Sequence, residues 1–164
     1  MSFDQRQFRN ALSQFATGVT IITTRSLSGV ETGITASSFN SVSLDPPLIL
    51  WSLGKDSGSF DTFESATHFG VHILGENQAD LSQRFATLGG DKFKNLKTTP
   101  GLAGIPLLSD CPARFQCSVF ERIPAGDHII YLGKVEEMSF AKGQKPLVYH
   151  GGGYARLQAA ASIV

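Results

Sequence analysis

Residues 35–53 read "TASSFNSVSLDPPLILWSL". Small hydroxylated residues run into Asp-Pro-Pro, and then into an apolar run that holds the only Trp of the chain. The apolar part, "LILWSL" (48–53), reads as a strand, and its continuous apolarity predicts burial on both faces. A plain core strand needs no hydroxyl-rich neighbour. A site that cups a polar, planar ligand does.

Working outward, "GVTIITT" (18–24) is β-branched throughout, which favours a strand. It pairs across "SLSG" with "VETGITASSF" (30–39) as a hairpin. Further strands are expected at "HFGVHIL" (68–74), at "ARFQCSVFERI" (113–123) and at "DHIIYLGKVEEMSF" (127–140), the last two joined by a Pro-Ala-Gly turn. "PLVYHGGGYARL" (146–157) reads as a final strand followed by a glycine-rich turn. A helix is expected over 2–16, with Ser2 as N-cap, Gln5 completing a capping box, and Phe8, Leu12 and Phe15 on one face. Residues 55–66 read as a loop opening a short helix. Residues 77–88 read as a helix capped by Asn77, with Leu81, Phe85 and Leu88 on one face. The Gly-, Pro- and Lys-rich stretch 89–110 reads as an ordered but irregular excursion. Six or seven strands, mostly in hairpins, with two or three helices predict a mainly β chain: an antiparallel β-barrel with a few α-helices. No composition shift marks a linker, so residues 1–164 read as a single domain.

Lys plus Arg and Asp plus Glu each number 14, so the formal net charge is zero. Such a surface draws neither nucleic acid nor an anionic membrane. The charged fraction is 17%, below the usual ~25%. Either a homo-oligomer covers part of the surface, or the surface is glycine-rich and mildly polar. Cys111 and Cys117 are too few for a disulfide framework and complete no zinc site, and no metal is expected. No stretch approaches the ~20 apolar residues of a membrane span. The N-terminal residues mix acids and bases without a long apolar run, which predicts a cytoplasmic protein.

Four places carry candidate chemistry. Thr35, Ala36, Ser37 and Ser38 present hydroxyls and closely spaced amides, suited to the edge of a flavin ring, to a phosphate, or simply to a solvated strand edge. Ser57 and Ser59 precede a helical pattern, as an anion site or as an ordinary N-cap. His128 follows a turn, as a hydrogen-bonding group over a ligand or as a strand-start His on a wet face. "HGGGY" (150–154) is not a dinucleotide fingerprint; its glycines permit close approach to the backbone, or make a plain turn.

In order along the chain, "FATGVTIITT", "GITASSFNSVSLDPPLIL", "FGVHIL", "QADLSQRFA", "DHIIYLGKV" and "PLVYHGGGY" resemble the short-chain flavin reductases, the reductase components of two-component flavin-dependent monooxygenases. The resemblance covers roughly residues 5–157 and implies a flavin-binding split barrel, usually a homodimer. It implies that Thr35, Ala36, Ser37 and Ser38 line the isoalloxazine ring. Ser52, Leu53, Ser57 and Ser59 would reach the ribityl chain and phosphate, with Arg84, Phe85 and Ala86 bordering the phosphate. His128, Gly152, Gly153 and Tyr154 would lie where the nicotinamide docks. The implied activity is NAD(P)H:flavin oxidoreductase: hydride passes from NADH or NADPH to FMN or FAD, and reduced flavin serves a separate monooxygenase. The alternative is a non-catalytic flavin- or haem-binding protein on the same barrel. Gly151 stands where many relatives have a basic residue, and the loop "LGGDKF" (88–93) is glycine-rich while keeping Asp91 and Phe93.

Overall fold

A computed structural model describes residues 4–158. Helix α1 spans Gln5–Leu12 and is capped by Asp4, whose carboxylate accepts from the Arg6 amide. It is shorter than the expected 2–16, and Ser2, the expected cap, lies outside the described residues. Phe8, Leu12 and Phe15 are 49%, 58% and 78% exposed, so their stripe does not pack on this chain's core. Apolar spacing marks a helix face, but not the body that covers it.

Strands β1 (Thr17–Gly18), β2 (Thr20–Arg25), β3 (Glu31–Ala36), β4 (Asn40–Leu44) and β5 (Pro47–Gly54) follow. Next come α2 (Phe60–Ser65), β6 (His68–Ile73) and α3 (Ala79–Ala86). The excursion holds only β7 (Thr98–Pro100), a 3-10 turn at Leu102–Gly104 and β8 (Pro106–Leu108). Then come β9 (Ala113–Ala125), β10 (His128–Phe140), β11 (Val148–His150) and β12 (Gly153–Ala155).

The chain is mainly β, and every strand pairing among the described residues is antiparallel. Seven strands form one sheet in the order β3-β2-β6-β9-β10-β5-β4; β1, β11 and β12 form a small sheet, and β7 pairs with β8. The expected hairpins β2–β3 and β9–β10 are both present. The large sheet runs between edge strands β3 and β4, so hydrogen bonds do not close it into a continuous barrel.

The strand buried on both faces is β2, not β5. In β5 burial alternates: Ile49, Trp51 and Leu53 are buried, while Leu48, Leu50 and Ser52 are half-buried. In β2 all residues but Arg25 are buried. Ile22 enters a cluster with Trp51, Phe63, Phe69 and Tyr131, whereas Ile21 enters a second one with Leu74, Phe85, Leu108 and Leu147. Threonine tolerates this burial because each hydroxyl finds a carbonyl. Thr20 donates to Ala36 (2.7 Å), Thr23 to Pro106 (2.7 Å) and Thr24 to His68 (2.8 Å).

Helix α3 begins after Gln78, not Asn77. The Gln78 side chain turns back to accept the Gly75 amide at 2.8 Å. Phe85 is buried as expected, but Leu88 lies beyond the helix and is 87% exposed. The inward face is completed by Ser82, one turn before Phe85 and fully buried.

Candidate functional site

A cleft of about 880 Å³ opens between β3, the end of β5, α3 and the loop after α3. One wall runs from Thr32 to Ser38, and the facing wall is Ser52–Gly54 continuing into the loop 56–59. The Ser38 hydroxyl joins the two, accepting from the Ser52 amide at 2.9 Å and lying 3.4 Å from the Ser52 carbonyl. The hydroxyl run and the apolar strand quoted at the outset are therefore the two sides of one cleft. Phe85, Ala86 and residues 88–93 close a third side, and His128 stands at the start of β10 on the rim.

The Thr35–Ser38 run is only partly available to a ligand. The Thr35 hydroxyl donates to the Ser82 carbonyl at 2.6 Å, and Ser38 is tied to Ser52. Ser37 is exposed to the cleft and has no side-chain partner among the described residues. Ser57 accepts from the Ser59 amide at 3.3 Å, while the Ser59 hydroxyl caps nothing.

Two features of the third side escape sequence reasoning. A side-chain carbon at Gly33 would lie 2.5 Å from the Phe85 ring and 3.2 Å from Phe93. Only glycine lets these edge-to-face rings (5.2 Å, 83°) pack across β3. Lys92 donates to the carbonyls of Phe85 (2.8 Å) and Gly33 (3.3 Å), which ties the glycine-rich loop to α3 and β3. Burial holds its pKa below the ordinary lysine value. A lysine beside two glycines has no periodicity to betray it; Gly33 inside a strand pattern was the one available signal.

His128 is bonded through Nδ1 to the Asp127 carboxylate at 2.8 Å, with its side chain half exposed. That hydrogen bond and the imidazole charge hold the Asp127 carboxyl below its ordinary pKa. A side-chain carbon at Gly54 would meet His128 Nε2 at 3.7 Å, so this nitrogen lies beside the cleft wall. A different histidine, His72, lies in the core. Its Nδ1 bonds the Ile21 carbonyl (3.0 Å) and its Nε2 accepts the Leu108 amide (3.1 Å). Burial pushes its pKa down to about 4.

Arg84, Gly152, Gly153 and Tyr154 do not line the cleft. The Arg84 guanidinium donates to the Lys94 carbonyl, bracing the loop from outside. Tyr154 lies on β12, edge-on to Tyr149 (5.9 Å, 69°), and its hydroxyl donates to Ser82 Oγ at 2.8 Å.

Residues 12–158 match the flavin reductase like domain family. The chain belongs to that family. It is 43% identical over 152 residues to a protein of Rhizobium meliloti named "Probable flavin reductase", covering 93% of this chain and 49% of that one. It is 42% identical over 153 residues to "FMN reductase (NADH) SmoA" of Agrobacterium fabrum, covering 93% and 86%. Among solved structures, the NADH:FAD oxidoreductase SgcE6 of Streptomyces globisporus, in complex with NAD and FAD fragments, superposes with a TM-score of 0.91. The identity there is 31%, and 97% and 96% of the two chains are covered. The chain thus spans about half the length of the Rhizobium protein but nearly all of SgcE6. The fold is the split barrel of these reductases.

Proposed function

We propose that the chain is an NAD(P)H:flavin oxidoreductase, which passes hydride from NADH or NADPH to FMN or FAD and supplies reduced flavin to a separate monooxygenase. The observation that carries this reading is the cleft: two walls pinned by Ser38 and Ser52, with His128 on its rim. Its residues suit a flavin. Gly33 lets the Phe85 and Phe93 rings pack against β3 to close one side, and the hydroxyls of Ser37 and Ser59 in the cleft are donors of the kind that flavin carbonyl and phosphate oxygens accept. Thr35 to Ser38 would line the ring, and Ser52, Leu53, Ser57 and Ser59 the ribityl chain and phosphate. Phe85 and Ala86 would close the phosphate end, with Arg84 acting through the loop it braces.

A bound flavin supplies the hydride-accepting ring. The protein's task is to bind, orient and exclude water. His128, oriented by Asp127, and the turn Gly152–Tyr154 would hold the nicotinamide donor. Steady-state NADH and NADPH oxidation by purified protein, with and without FMN, tests the reading. Flavin-dependent oxidation is expected. Flavin binding without oxidation of either nucleotide would instead favour a non-catalytic binder.

A homodimer accords with the apolar side chains left open on the single chain, among them Leu12, Phe15, Leu44, Met138 and Phe140. Light scattering on the purified protein checks it. No helix among the described residues is long and apolar enough to cross a membrane. A cytoplasmic location accords with two free, buried thiols, whose pKa values burial pushes up to about 11 (Cys111) and about 12 (Cys117).

A further inference from the structure

Ser82 makes two contacts that face opposite ways. Its backbone carbonyl accepts the Thr35 hydroxyl at 2.6 Å, on the cleft side. Its side-chain oxygen accepts the Tyr154 hydroxyl at 2.8 Å, on the side of β12. Ser82 is fully buried, so water does not reach its side chain. The β11–β12 turn has little else to hold it. Side-chain carbons at Gly151, Gly152 and Gly153 would meet nothing within 4 Å, so these glycines border open space. Among the described residues, its one backbone tether outside its own small sheet is the Gly151 amide to the Ser13 carbonyl (2.8 Å), at the C-cap of a helix with no buried residue.

We infer that Ser82 is a positioning residue for the hydride donor: its hydroxyl fixes Tyr154, and with it the glycine turn, relative to the Thr35 wall. This rests on the reading above, in which the turn lies on the nicotinamide side and the wall on the flavin side. Hydride transfer tolerates little error in donor–acceptor distance. A hydrogen bond onto the buried Ser82 side chain, linking the two supports, is a direct way to fix it.

The two contacts of Ser82 separate cleanly by mutation. Ser82→Ala removes the acceptor for Tyr154 but keeps the backbone carbonyl for Thr35. Alanine suits a helix interior, and the Tyr154 hydroxyl, on a residue 41% exposed, can turn to water. Ser82→Ala and Tyr154→Phe should therefore each raise KM for NADH by roughly three- to tenfold, the effect of one lost hydrogen bond. The FMN dissociation constant should move by less than about twofold. The double variant should be no worse than either single one, because both delete the same bond. Additive losses, an equal loss of FMN affinity, or an unchanged KM would overturn the inference while leaving a working reductase. A wild-type protein that oxidises no nicotinamide with any flavin would remove both readings together.

Discussion

The interior of the large sheet and the rim of the cleft use the same side chains to opposite ends. In β2, three buried threonines each donate to a named carbonyl, and His72 has both ring nitrogens engaged. Along the cleft, Ser37 and the Ser59 hydroxyl have no side-chain partners among the described residues, and His128 uses one nitrogen on Asp127. The contrast teaches that residue type does not mark a site. What marks it is polar capacity left over after the fold has been satisfied.

The largest expected effect belongs to the interior. His72 has a folded pKa of about 4 against an ordinary value of 6.5. Its burial as a neutral ring therefore contributes full stability above pH 6.5. As pH falls from there towards 4, the unfolded chain binds the proton first, and stability is lost. The drop should reach about 3 kcal/mol by pH 4, at 1.36 kcal/mol per pKa unit. Urea unfolding of wild type and His72→Gln across this range measures it; an equal slope in the variant would assign the loss to other groups.

Next comes Thr23→Val, which strands the Pro106 carbonyl. It should lower unfolding free energy by about 1–3 kcal/mol and leave FMN affinity unchanged. Losing flavin affinity as well would mean that the two regions are not independent. On the cleft side, His128→Ala should lower kcat/KM for NADH roughly tenfold with FMN binding within about twofold, the loss of one charge-capable hydrogen bond to the donor. Equal losses of donor use and flavin binding would place His128 on the flavin instead. The smallest effect is expected from replacing both Ser57 and Ser59 by Ala. FMN affinity should fall by about fivefold while riboflavin, which lacks the phosphate, is barely changed. The same loss for both ligands would remove the anion reading.

Much of this was legible in the chain. Hairpins at 18–39 and 113–140 were readable because β-branched runs alternate with turn residues, and both are present. The blocks from Phe15 to Tyr154 pointed to the family that the match over 12–158 establishes. Depth was harder to read. Threonine looks polar, so β2 did not announce itself as the doubly buried strand, while β5 looked more buried than it is. Helix ends are set locally rather than by periodicity: the Asp4 carboxylate caps α1, while α3 starts after Gln78 with no side-chain cap. Within the site, the hydroxyls could be counted, but their partners could not. That Thr35 belongs to Ser82, and Ser38 to Ser52, depends on contacts 47 and 14 residues apart.

The most direct test is anaerobic mixing of the FMN-loaded protein with NADH, following the loss of oxidised-flavin absorbance. The account predicts bleaching in wild type, slowed in His128→Ala at equal flavin occupancy. Stable absorbance in wild type with FMN bound, under NADH and NADPH alike, would contradict it.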